Sequence, residues 1–149
     1  MLIQVFWNKK NGDVIIPTVA RTEAGYWLGI EPVECASWND LRSVIDAVNK
    51  AAARNGQVIP TPSRRNFPKD VVLSYASARN ISDFERKYDH LSIFQSSDGR
   101  YSIERYRKAP EGSGGVVDSN SSTTYPSGTS LDEVISSLAS TIQLKPKEK

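Results

Sequence analysis

Leu41-Arg42-Ser43-Val44-Ile45-Asp46-Ala47-Val48-Asn49-Lys50-Ala51-Ala52 is the stretch whose spacing decides the fold. Leu41, Val44, Ile45, Val48 and Ala52 fall at i, i+3, i+4, i+7 and i+11, one stripe of an α-helix. The spacing returns in Leu131, Val134, Ile135, Leu138 and Ile142, and both stretches begin Leu-x-x-Val-Ile. A helix with one apolar stripe must cover something. The runs before each helix read as β-strands and supply the surface.

Residues 2–7 and 14–20 are β-favouring runs on either side of Asn11-Gly12. Asn-Gly between two such runs predicts a hairpin with a type I′ turn, whose two central residues need positive φ. Pro17 has no amide to donate and predicts an edge position or a bulge. Residues 26–33 read as a third strand. Tyr26, Leu28 and Ile30 share one face, and Trp27, Gly29 and Glu31 share the other. Ser37 is placed to cap the first helix through the amide of Asp40, and Asn55-Gly56 to end it.

Residues 58–69 hold Pro60, Pro62 and Pro68, which excludes a helix and predicts an extended crossover. Residues 70–76 are open to helix or strand. Residues 80–88 read as a short helix capped by Asn80 or Ser82, with Ile81, Phe84 and Tyr88 on one face. Residues 91–96 and 100–108 flank Asp98-Gly99, a second hairpin with the same kind of turn. Tyr101 and Ile103 alternate there with Ser102 and Glu104. The Gly- and Ser-rich run 109–130 leaves room for a short strand at Val116-Val117. Ser130 and Glu133 form a capping box for the last helix, and 145–149 is expected to fray.

The fold class is therefore α+β: an antiparallel β-sheet in two hairpin-containing halves, packed by two amphipathic helices plus a short helix. The chain has 149 residues, the size of a single domain, 1–149. Degenerate halves 1–57 and 80–144 are joined by the Pro-rich crossover 58–69. The competing reading is that any amphipathic helix repeats this spacing.

Composition narrows the function classes. The net charge of +2 is too small to argue for a nucleic-acid or membrane partner. Residues 1–50 carry six acids and five bases, whereas 51–109 carry six acids and eleven bases. With one cysteine, Cys35, no internal disulfide forms, and a reducing, cytoplasmic setting is the simpler expectation. No run is long and apolar enough to span a membrane.

Chemistry-bearing motifs are scarce. His90 is the only histidine, and its neighbour Asp89 does not make a catalytic triad with it. Cys35 ends an apolar strand, where an inert buried thiol is expected, so a Cys35–His90 pair is disfavoured. One Cys and one His do not make a zinc site, and no calcium loop is present. Glu31 and Glu34, three apart on a strand, are expected on opposite faces, which disfavours a glycosidase pair. Gly112-Ser113-Gly114-Gly115 lacks the Lys-Ser/Thr ending of a phosphate loop. No catalytic residue, cofactor or metal is expected.

The basic residues Arg64, Arg65, Lys69, Arg79, Arg86, Lys87, Arg100, Arg105, Arg107 and Lys108 interleave with Tyr101 and Tyr106. That pattern supports an alternative reading, a nucleic-acid-associated module using 64–108. Asp70, Asp83, Glu85, Asp89 and Glu104 are mixed into the same segment and favour an ordinary solvated surface.

One resemblance spans most of the chain. It runs through Ile15-Ile16-Pro17-Thr18-Val19-Ala20-Arg21-Thr22-Glu23-Ala24-Gly25-Tyr26, Val58-Ile59-Pro60-Thr61-Pro62, Phe67-Pro68-Lys69, Val71-Val72-Leu73, Ser82-Asp83-Phe84-Glu85-Arg86-Lys87 and Tyr101-Ser102-Ile103. In that order these resemble immunity proteins of bacterial contact-dependent growth inhibition systems. The resemblance implies a cytoplasmic, non-enzymatic protein that binds a cognate toxin domain and blocks its active site or substrate surface. Against a basic toxin such proteins are often acidic, because complementary fields speed capture. At +2, the toxin is neutral or acidic, or a local acidic surface of Glu23, Glu31, Glu34, Asp40 and Asp46 does the binding. Arg64 and Arg65 in the crossover complete the expected partner-binding set. Arg42, Asp46, Asn49 and Lys50 on the outer side of the first helix are further contact candidates.

Overall fold

The computed structural model describes residues 1–66, 68, 70–108 and 115–142, side chains excepted at 107–108 and 115–121. The chain is α+β. The long strands are β1 (Leu2–Asn8), β2 (Asp13–Thr22), β3 (Trp27–Ser37), β5 (Tyr88–Gln95), β6 (Tyr101–Lys108) and β7 (Gly115–Tyr125). They form one sheet in the order β3-β2-β1-β5-β6-β7, every neighbouring pair antiparallel. The two-residue β4 (Val58–Ile59) pairs parallel with β2. Helices α1 (Leu41–Arg54) and α4 (Leu131–Ala139) pack on one face, and α2 (Val72–Tyr75) and α3 (Ile81–Lys87) on the other.

The two apolar stripes cover the first face. Val44, Ile45, Ala47, Val48 and Ala51 of α1 and Leu131, Val134, Ile135 and Leu138 of α4 meet Ile3, Val5, Trp7, Ile16, Leu91, Ile93 and Ile103. The buried line of α1 is rotated from the expected one. Leu41 is 37% exposed, while the small Ala47 and Ala51 lie inside. The two helices are tied by Asn49, whose amide donates to Asp132 at 2.8 Å and to the Ile45 carbonyl at 2.9 Å. Asn49 is thus a helix-to-helix link rather than a free contact residue. Three strands and a helix occur in the same order in 2–54 and 88–139, and β1 and β5 join them.

Several local expectations change. Helix α1 is capped by Asp40, whose carboxylate accepts from the Ser43 amide, because β3 runs on through Ser37. Asn55-Gly56 does end the helix, with Gly56 at φ +95°. Neither hairpin has a type I′ turn: Gly12 and Gly99 have positive φ, but Asn11 and Asp98 do not. The side chain of Asn8 accepts from the amides of Lys10 and Asn11, which starts the first turn before the Asn-Gly pair. Pro17 does sit at a bulge, where the β2–β3 register shifts between Pro17 and Thr18. The segment 70–76 resolves as helix α2, and Asn80 rather than Ser82 caps α3.

The largest change is β7. It extends through the Ser/Thr-rich run, well beyond Val116-Val117. The open edge of β6 supplies backbone partners, which matter more to a strand than its side-chain composition. The capping box of α4 forms as read, with Ser130 and Glu133 bonded reciprocally. The crossover begins as β4, and 112–114 and 145–149 lie outside the described residues. Among the described residues no helix is long and apolar enough to cross a membrane.

Candidate functional site

The two faces of the sheet are unequally covered. Helices of 14 and nine residues lie over one, whereas α2 and α3 offer four and seven residues to the other. On that second face a single row crosses five strands. Cys35 is opposite Ile15, Ile15 opposite Phe6, Phe6 opposite His90, and His90 opposite Tyr106. Directly opposed residues in antiparallel ladders share a face, so their side chains stand side by side.

The right half of the row is an aromatic stack. His90 lies between Phe6, at 4.2 Å between ring centroids, and Tyr106, at 4.4 Å, with both rings within 20° of parallel. Phe84 of α3 meets Phe6 edge-on at 5.2 Å and stacks on Tyr88 at 4.9 Å. These rings, with Gln4 and Ile81, line a recess of about 260 Å³ between α3 and the sheet. Its remaining lining residues are Lys9, Asp70, Glu85 and Asp89. Lys9 and Asp89 form an ion pair at 3.7 Å.

Burial holds His90 down at about 4, so the imidazole is uncharged at neutral pH. Its Nε2 is buried and has no hydrogen-bond partner among the described residues. The carboxylate of Asp89 goes to Lys9 rather than to His90, so no orienting acid completes a triad. The thiol of Cys35 is exposed, contrary to the expectation of burial, because β3 is an edge strand. Partial burial first, then Glu34, Asp13 and Glu31, push its pKa up, away from the thiolate. Cys35 and His90 share a row but stand three strand spacings apart, about 14 Å. Among the described residues no group of three or more His, Cys, Asp or Glu is arranged to hold a metal ion.

The residues expected to bind a partner do not converge. Glu31 and Glu34 lie on opposite faces, as their spacing requires. Glu31 accepts from the Tyr75 hydroxyl of α2 at 2.7 and 2.9 Å. Glu34 pairs with Arg54 of α1 at 2.8 Å, and Arg54 also donates to the hydroxyl of Thr18. Asp40 caps α1, and Asp46 pairs with Arg42 at 3.2 Å on the outer side of that helix. Glu23 is exposed in the turn after β2, and Arg64 and Arg65 are exposed in the crossover.

The basic segment is dispersed as well. Arg79, Arg86 and Lys87 all surround the buried carboxylate of Asp83. Arg100 pairs with Asp98, and Arg105 donates to Thr141 beyond α4. Tyr101 is buried in the core beneath α4, whereas Tyr106 belongs to the opposite face. The two tyrosines therefore do not share a stacking platform of the kind that single-stranded nucleic acid uses.

The aromatic recess was not singled out in the sequence. One signal for it was present. Tyr106 has the opposite parity from Tyr101 and Ile103, so a large ring stands on the face that alternation assigns to solvent. The partnership with Phe6 was hidden, because the β1–β5 pairing joins residues 84 positions apart.

The chain matches no protein-family model, and no curated protein is similar to it in sequence. Its fold is similar to that of a protein of unknown function from Neisseria meningitidis. The two superimpose with a TM-score of 0.62 at 12% sequence identity, over 91% of this chain and 88% of that one. At that identity the likeness is one of fold alone.

Proposed function

We propose that this chain is a cytoplasmic, non-enzymatic, immunity-type protein that binds and neutralises a cognate bacterial toxin domain. The observation that carries the reading is the half-covered second face of the sheet. There the rings of Phe6, His90 and Tyr106 stand in a row and a recess opens beside α3. Concave aromatic surfaces with a few polar groups at the margin are suited to anchoring residues of a partner. The resemblance running from Ile15 to Ile103 points to the same class, and it includes the α3 segment that walls the recess.

The test is co-expression with the C-terminal domain of the protein encoded directly upstream. Rescue of growth, with recovery of a stable complex of the two purified proteins, is the expected result. Growth arrest despite full expression of this chain, together with no complex, overturns the reading.

A further inference from the structure

Resting on the immunity-type reading, we propose that the partner protein docks on the exposed row of Trp27, Arg21 and Val58, and that Arg21 holds a carboxylate of that partner. Arg21 of β2 is directly opposite Trp27 of β3 on one side and Val58 of β4 on the other. Directly paired residues share a face, so the three side chains stand side by side, about 4.8 Å apart. The face is the second one. A Cβ on Gly29, two residues from Trp27, would meet Val71 at the start of α2 at 3.6 Å. Helix α2 thus covers Gly29 and leaves the row beyond it open. Val58 is 66% exposed and Trp27 38%, and Tyr26, next to Trp27 in the chain, is 38% exposed. Three of the six exposed large hydrophobic side chains among the described residues are therefore at this one end. That grouping sets the row apart from the singly scattered apolar residues of an ordinary surface.

Charge selects the occupant. The guanidinium of Arg21 lies over the Trp27 ring, 5.6 Å from its centroid. Contact with a ring uses the flat side of a guanidinium and leaves the N–H groups at its edge, where a carboxylate binds in bidentate fashion. No carboxylate among the described residues pairs with Arg21, whereas Arg42, Arg54, Arg86 and Arg100 each face one. Glu23, two residues along, is exposed and makes no ion pair with it. A partner carboxylate therefore meets an unpaired cation between two apolar side chains, whose contact with the partner excludes water and strengthens the pair. An acidic partner also suits a chain whose net charge is +2. Arg21 is six residues along β2 from Ile15, about 20 Å, so one interface of ordinary breadth reaches both this row and the aromatic one.

The test uses the full chain and the C-terminal domain encoded directly upstream, with affinity measured by calorimetry. Arg21→Gln and Trp27→Ala are each expected to weaken the complex roughly tenfold. Arg21→Lys should recover only part of that loss, because an ammonium does not bind a carboxylate in bidentate fashion. Added salt should weaken the parent complex more than the Arg21→Gln complex, a response that a merely structural role would not produce. Lys50→Ala, on α1 across the sheet, should leave the affinity unchanged. Unchanged melting temperatures show that the fold is intact. If Trp27→Ala melts early, the two Arg21 variants carry the test. Parent affinity in Arg21→Gln, or equal salt dependence of the two complexes, overturns the proposal and leaves the immunity-type reading intact. Dimerisation of the chain alone, abolished by Val58→Asp, also overturns it by giving the row to a second copy. A complex that depends on Arg21 yet gives no rescue of growth has the reverse meaning: the docking surface stands and the immunity-type reading falls. No complex at all overturns both.

Discussion

The side-chain amide of Asn55 accepts from the backbone N–H of Val19 at 2.8 Å and donates to the carbonyl of Leu2 at 2.9 Å. It stands where β1 and β2 part. These strands pair at Phe6–Ile15 and Trp7–Val14. Beyond that point the edge of β2 is taken by the chain leaving α1. Gly56 donates to Val19, Arg21 donates to Gln57, and β4 follows in parallel. A residue that reads in the sequence only as a helix terminator is thus also the stitch between two central strands and the helix end.

Replacing it exposes that second role. Asn55→Ala leaves the Val19 amide and the Leu2 carbonyl, both partly buried, without this partner. Each such loss costs roughly 1–3 kcal/mol. Asn55→Asp keeps an acceptor for Val19 but sets a carboxylate against the Leu2 carbonyl, so it should be no better than alanine. Urea unfolding monitored by tryptophan fluorescence measures both. A change below 0.5 kcal/mol, about the scatter of neutral surface substitutions, would show that the bridge contributes nothing.

The two amphipathic helices make a second comparison. Leu41 and Ile135 head and centre matching stripes, yet Leu41 is 37% exposed and Ile135 is 1% exposed. Ile135→Ala should cost about 2–5 kcal/mol, because it removes buried methyls and leaves a cavity under α4. Leu41→Ala should cost under about 1 kcal/mol. Equal losses would mean that the stripe of α1 packs as its spacing suggested, with Leu41 inside.

What the sequence conveys here divides along a physical line. Local periodicity and capping chemistry depend on neighbours in the chain, so α1, α4, the Ser130–Glu133 box and the bulge at Pro17 are legible. Register between distant strands depends on the whole sheet. The meeting of Phe6, His90 and Tyr106 requires β1 to lie beside β5, which no short window encodes. The long β7 was missed for the same reason, since the β6 edge that recruits it is a tertiary feature. The dispersal of the acidic set follows from α1 and α2 lying on opposite faces. Glu31 is thereby drawn to Tyr75 and Glu34 to Arg54.

Asp83 should anchor α3 through charge. Its carboxylate accepts from the Arg79 amide, then from Lys87, and Arg86 reaches the other oxygen. These contacts hold its pKa at about 2, below the ordinary 3.8. A depressed carboxyl contributes stability above 3.8 that is lost as pH falls towards 2. Asp83→Asn should therefore lower the melting temperature at pH 7, with faster amide exchange in α3. The gap between parent and variant should close by pH 2. A gap of the same size at pH 7 and pH 2 would assign the loss to packing rather than to charge.

His90 should govern a different window of pH. Its ring is stacked between Phe6 and Tyr106, and burial lowers its pKa from 6.5 to about 4. The unfolded chain therefore binds a proton on this residue between pH 6.5 and 4 that the folded chain does not. Unfolding is favoured progressively as pH falls through that interval, by up to about 3 kcal/mol. His90→Phe keeps a flat ring in the stack and removes both the titration and the unpartnered Nε2. At pH 7 the variant should be at least as stable as the parent. On acidification to pH 4 the parent should lose stability that the variant retains, whereas the further loss below 3.8, due to Asp83, should appear in both. Urea unfolding at half-unit steps from pH 7 to pH 2 gives the two curves. Parallel curves would show that the imidazole takes up its proton as readily in the folded chain as in the unfolded one, and that burial does not hold it neutral.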